Sequence, residues 1–130
     1  MDISKTIAEL KKDPEFQKHV GMVLVHNGVV RGWSRDGHKD VDAVDILVDR
    51  VRLAEICREF EQRPGIWRVV ADARDGLLFP GDDVLFLVVA GDVRENVKPA
   101  LAELLDRVKA EAVRKKEHMS QPGTPCPCKS

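Results

Sequence analysis

At 130 residues the chain is long enough for one ordinary domain that buries about two-thirds of the surface its unfolded form exposes. Hydrophobic residues make up 43% and charged residues 33%, with a formal net charge of -1, which argues against the broad positive field of a general nucleic-acid binder. No stretch has the length and apolarity of a membrane span or the make-up of a signal peptide, and three cysteines form no disulfide framework, so a reducing cytoplasm is the expected setting.

Residues 3–18 are expected to be helical in two short pieces. Ser4 would cap a stripe that includes Ile7 and Leu10, and Asp13-Pro14 restarts a turn through Phe16. Residues 20–31 read as a strand centred on Met22-Val23-Leu24-Val25, and the Asn27-Gly28 pair inside it signals a bulge or a close backbone approach. Gly32 to Asp40 is a glycine-containing loop, expected to be exposed and mobile.

A second strand, Val41 to Val48, alternates Val44, Ile46 and Val48 against Asp45 and Asp49. From Arg50 to Arg63 the apolar residues Leu53, Ile56, Cys57 and Phe60 recur at helical spacing, and Pro64-Gly65 stops the helix. Residues 66–74 return to strand, with Trp67, Val69, Ala71 and Ala73 on one face and Arg68, Asp72 and Arg74 on the other. A short strand through Gly76-Leu77-Leu78-Phe79 leads to the turn pair Pro80-Gly81. The run Val84 to Ala90 is apolar throughout, as a central strand covered on both faces would be.

The last helix is expected to start at Asn96, because a start at Asp92 would leave Pro99 too deep. It would carry Val97, Leu101, Leu104 and Val108 inward and run through Lys116. The domain is expected over residues 1–118, followed at 119–130 by a proline- and cysteine-rich disordered tail. The class is α+β, with helices packed on a mostly antiparallel sheet.

Candidate chemistry is cationic. On a continuous helix Lys109 and Lys116, seven residues apart, project from one side, roughly 10 Å apart along the axis. They suit an anion clamp or acid–base and nucleophilic work, unless Glu111 and Glu117 simply pair with them on the surface. Arg31 ends a strand beside the loop, and Arg94 stands near a positive helix end, an unfavourable place for a cation unless an anion is present. Histidines 19, 26, 38 and 118 lack metal-ligand spacing, so neither a metal nor a cofactor is expected. Cys126-Pro127-Cys128 is a weak signal for soft-metal or thiol chemistry.

Several segments together carry a family resemblance: Gly28-Val29-Val30-Arg31, Arg74-Asp75-Gly76-Leu77-Leu78-Phe79-Pro80-Gly81-Asp82, the apolar strand, Arg94, Val108-Lys109 and Lys116. Over residues 20–118 the chain resembles the catalytic large subunit of molybdopterin synthase. That resemblance implies an α/β-hammerhead fold and a homodimer. It also implies a small ubiquitin-like sulfur-carrier partner, whose C-terminal glycine thiocarboxylate delivers sulfur to cyclic pyranopterin monophosphate. By the same resemblance Lys109 and Lys116 are catalytic, and Arg31 and Arg94 bind substrate, with Arg94 serving the partner protomer's pocket.

Departures from the family pattern are Val93 and Ala73 in place of histidines, and His26 in place of a phenylalanine. Leu47-Val48-Asp49 replaces a tyrosine-rich motif, and Ala112-Val113 replaces a chain-breaking proline. The alternative is a non-catalytic relative acting as a binding or regulatory module on the same fold.

Overall fold

The computed structural model describes residues 2–37 and 39–119. All strand pairing is antiparallel and divides into two three-stranded sheets. In the first, β5 (Asp83–Gly91) lies between β1 (Met22–Val29) and β3 (Ile66–Ala73). In the second, β2 (Val41–Val48) lies between β4 (Gly76–Leu78) and β6 (Val113–Met119). The uninterrupted apolar run places β5 at the centre of its sheet, where every residue from Leu85 to Gly91 is buried. At Asn27-Gly28 the β1–β5 register shifts between Gly28 and Val29, the bulge expected there.

The helices are α1 (Ile3–Lys11), α2 (Phe16–His19), α3 (Arg50–Glu61) and α4 (Arg94–Glu111). The main core joins α3 and α4 to the first sheet. Leu53, Ile56, Cys57 and Phe60 of α3 meet Val97, Ala100, Leu104 and Val108 of α4 over Leu85, Leu87 and Val89. The α3 stripe is the one its spacing predicts. On α4 Ala100 joins the buried stripe, and Leu101, expected inward, is only partly buried. A smaller core under the second sheet holds Val30, Val41, Val44, Ile46 and Leu78, with Val84 and Val113 against it.

Three expectations are corrected. Asp2, not Ser4, caps α1, its carboxylate accepting from the Lys5 N–H at 3.1 Å. α4 begins at Arg94, not at Asn96, with Val93 as its N-cap and Asp92 accepting from the Asn96 side-chain amide at 2.9 Å. Pro99 therefore sits in the second turn and donates nothing to the Glu95 carbonyl. Both residues are exposed, so water can meet that carbonyl.

The third correction bears on the site. α4 ends at Glu111, and the chain turns at Ala112 into β6. The Ala112 N–H still donates to the Val108 carbonyl at 2.8 Å, but its own carbonyl accepts from Asp49 at 2.7 Å and ties the corner to the end of β2. From the β-branched Val113 onward the backbone bonds to β2, which would otherwise leave a row of unpaired groups at a sheet edge. Tertiary pairing overrides the helical propensity of a lysine- and glutamate-rich segment and does so without the family's proline. Of the tail expected over 119–130, Met119 ends β6; residues 120–130, with Cys126 and Cys128, lie outside the described residues.

Candidate functional site

The site is built where the end of β1, the following loop, the last turn of α4 and the start of β6 meet. After β1, Val30 is buried and bonded both ways to the 79–82 turn, its N–H to the Asp82 carbonyl and its carbonyl to the Gly81 N–H, each at 2.9 Å. Gly81 has φ +94°, which permits that turn. Arg31 follows, and its guanidinium stacks 4.8 Å from the centre of the Trp33 ring.

The loop has bonds of its own. Trp33 bridges Asp40, and Ser34, only 2% exposed, donates from Oγ to the Asp36 carbonyl at 2.8 Å while accepting from the Lys39 N–H at 3.0 Å. This inner frame carries Arg35 beside the end of α4.

Lys109 lies in the last turn of α4, where the helix carbonyls favour a cation. Its pKa is nevertheless held below the ordinary lysine value. Partial burial of the ammonium is the largest cause, followed by the charges of Lys115, Arg35 and Arg31, with Asp106 opposing them. The surface pairing that would make Lys109 ordinary is not made through Glu111. That carboxylate is taken by Arg107 and Arg52, whose hydrogen bonds hold its pKa at about 2. The charges of three further cations thus act on the Lys109 ammonium: an oxyanion would be attracted to it, and their effect favours a neutral amine on Lys109.

Of the four residues expected from sequence, the structure brings Arg31 and Lys109 together and leaves the other two apart from them within one protomer. On β6, Lys115 is opposite Ile46 and Lys116 is opposite Asp45. Successive strand residues face opposite sides, so Lys115 shares the face of Ile46 and the small core, while Lys116 stands on the outer face with Asp45 and His118. The picture of two lysines on one helical face is therefore replaced by one lysine on α4 and one on each side of β6. Arg94 begins α4, its side chain 79% exposed and 3.4 Å from Glu95. Fifteen helical rises, about 22 Å, separate it from Lys109. Arg74 is exposed at the end of β3.

Sequence reasoning did not assign Arg35, Lys115 or His26 to the site. The alternation of Val113, Lys115 and Glu117 against Arg114, Lys116 and His118 would have singled out Lys115 had residues 113–119 been read as a strand. His26 lies on β1 with Nε2 buried, and its pKa is lowered by burial first and then by the charge of Lys109. Cys57 is packed in the main core, where burial pushes its thiol up to about 11, which makes it a poor nucleophile. A separate cavity of about 310 Å³ is lined by Lys18, His19, Gly65, Ile66, Trp67 and Asp92, none of them from the Lys109 group.

Comparison with solved structures places the fold among molybdopterin-synthesis proteins. A molybdopterin synthase from Staphylococcus aureus superposes with a TM-score of 0.67 at 23% identity, covering 78% of this chain and 76% of that one. The molybdopterin cofactor biosynthesis protein E from Burkholderia multivorans gives 0.69 at 24% identity, with 92% and 81% covered. A complex of subunits 1 and 2 of molybdopterin-converting factor from Helicobacter pylori gives 0.62 at 14% identity, with 95% and 87% covered. At these identities the likeness establishes the fold, an α+β architecture of the hammerhead kind. Comparison with curated proteins returns no match. The family described as MoaE protein matches residues 1–111, which takes in both sheets' central strands, all four helices and Lys109; the chain belongs to that family, one of molybdenum cofactor biosynthesis.

Proposed function

We propose that this protein is the large subunit of a molybdopterin synthase and transfers sulfur from the thiocarboxylate of a small ubiquitin-like carrier to cyclic pyranopterin monophosphate. The observation that carries this reading is the convergence of Lys109, Arg31, Arg35 and Lys115 around one partly buried amine. The pterin brings a phosphate, and departure of sulfur from the carrier's acyl carbon develops negative charge on oxygen and sulfur. Fixed cations stabilise both without reorganising. Lys109 faces the carrier carbonyl, and its lowered pKa favours the free amine needed to attack it. Arg31 and Arg35 hold the phosphate. Lys115 supplies the second ammonium; Lys116, on the outer face of β6, lies apart from this group.

Arg94 enters this scheme only from a second copy. Its distance from Lys109 and its exposure support a homodimer in which each protomer lends Arg94 to its neighbour's cleft. The carrier-partner reading draws support from the Helicobacter pylori relative, whose structure is of a complex of two subunits. A cytoplasmic setting follows from the chemistry, and among the described residues no helix is long and apolar enough to cross a membrane.

The binding-module reading rests on Val93, 50% exposed where the family resemblance expects a histidine beside Arg94. One reconstitution separates the two. The protein is combined with thiocarboxylated carrier and the pyranopterin precursor, and the dithiolene product is measured beside a positive control. Product that disappears in Lys109→Ala supports the enzyme; no product from active reagents supports the binding module.

A further inference from the structure

The edge of a β-sheet turns backbone donors and acceptors outward, where another chain can pair with them unless charge, proline or shortness prevents it. The two sheets present four edge strands. β4 is three residues long, β3 carries Arg68 and Asp72, and β6 carries Arg114, Lys115, Lys116 and Glu117. β1 has none of these defences. Its eight residues include no proline, lysine, arginine or carboxylate, and among the described residues the strand pairs with β5 alone. Val25 and Val29, two of its side chains, are exposed.

The exposed apolar surface continues past both ends of the strand. Gly91 is opposite Met22, and the exposed Val93 follows Gly91 by two residues. At the other end the exposed Trp33 follows Val29 by four residues. A two-fold axis perpendicular to the sheet, at the middle of the β1 edge, lays a copy of the strand antiparallel to the first and exchanges these ends. Each Val93 then points to the Val29 and Trp33 end of the other protomer, apolar toward apolar, and no charge on one β1 meets a like charge on the other. These end contacts matter, because a stable interface covers about 800 Å² of each partner and a single ladder covers less.

The same axis keeps the α4 helices of both protomers on one side of the joined sheet. Arg94 starts α4 three residues after Gly91, whereas Arg31 lies two residues beyond Val29, at the opposite end of β1. The exchange of ends therefore carries each Arg94 to the Arg31 end of its neighbour.

We propose that the free edge of β1 is the homodimer interface, two copies pairing antiparallel into one six-stranded sheet with Val93, Val29 and Trp33 closing the contact at either end. The inference rests on the two-protomer site read above and names the surface that assembles it. Val93, where the family resemblance expects a histidine, becomes an interface residue.

The test is the oligomeric state of the full chain by sedimentation equilibrium, with circular dichroism confirming that each variant is folded. Wild type is expected to dimerise. Val25→Lys brings two ammonium groups together at the middle of the joined edge and should raise the dimer dissociation constant roughly 100-fold. Leu47→Lys puts the same charge on an exposed apolar residue of the second sheet and should leave that constant unchanged. Hydrogen exchange on wild type needs no variant: β1 amides should exchange faster as dilution separates the protomers. A monomeric wild type overturns the proposal and the two-protomer site together. A dimer that folded Val25→Lys leaves as tight as before, or β1 amides indifferent to its dissociation, overturns the edge and leaves the two-protomer site standing. A dimer that Val25→Lys breaks, in a wild type that transfers no sulfur, upholds the interface while the enzyme reading falls.

Discussion

Two adjacent lysines make a stringent pair of substitutions, because the register of β6 puts them on opposite sides of one strand. Lys115 shares the face of Ile46 and adds its charge to that acting on Lys109, whereas Lys116 faces Asp45 on the outer side. If Lys115 meets charge that develops during transfer, Lys115→Ala removes one charge-assisted interaction, about 1.5–3 kcal/mol, and kcat/KM falls roughly 10- to 150-fold. Lys116→Ala removes only an exposed cross-strand neighbour, about 0–0.5 kcal/mol, and kcat/KM stays within about twofold. Neither side chain belongs to the core, so both melts should stay near wild type. The pH profile provides a second check. Losing the Lys115 charge lets the Lys109 pKa rise toward its ordinary value, so in Lys115→Ala the activity that depends on the free amine appears at higher pH. A larger loss in Lys116→Ala than in Lys115→Ala would refute the placement of the second lysine.

Leu104 is fully buried at the centre of the α4 stripe, so Leu104→Ala should cost about 2–5 kcal/mol and lower the melting temperature by roughly 10 °C, checked by calorimetry. Glu111 has a folded pKa depressed from 4.5 to about 2, so its pairing with Arg52 and Arg107 stabilises the fold above the higher value and is lost as pH falls toward the lower. Melts of wild type and Glu111→Gln should therefore differ most near neutral pH and converge in acid; a gap that widens below pH 4.5 contradicts the assignment. Ser34→Ala removes the acceptor of the Lys39 N–H, about 1–3 kcal/mol, and hydrogen exchange at that amide should quicken while the α4 core amides hold.

Much of the fold was legible because local pattern and tertiary demand agreed. The α3 stripe follows from its spacing, the bulge at Asn27-Gly28 is one of the two outcomes that pair signals, and the central place of β5 follows from its unbroken apolarity. Residues 113–119 were misread for the opposite reason. Val-Arg-Lys-Lys-Glu-His-Met is mostly helix-permissive and exposed, and what makes it a strand is the open edge of β2, seventy residues earlier in the chain, which no local window contains. That error moved Lys116 onto the face of Lys109 and left the opposite placement of Lys115 and Lys116 unread. Arg35 escaped because the loop around Ser34 owes its order to a buried hydroxyl and a single bridge, neither of which leaves a periodic trace. Arg31 and Lys109 were named together because the family resemblance grouped residues whose separation in the chain conceals that the charge of one acts on the other.

In the proposed synthase a site takes Lys109 from one protomer and Arg94 from its partner, and subunit mixing tests that proposal most directly. Lys109→Ala and Arg94→Ala homodimers should each be nearly inactive in sulfur transfer. Unfolded together and refolded, they should regain about a quarter of wild-type activity, because half the dimers are mixed and each mixed dimer holds one intact cleft. Activity that stays at the level of the separate variants after mixing, with mixed dimers confirmed by mass spectrometry, would contradict the shared site.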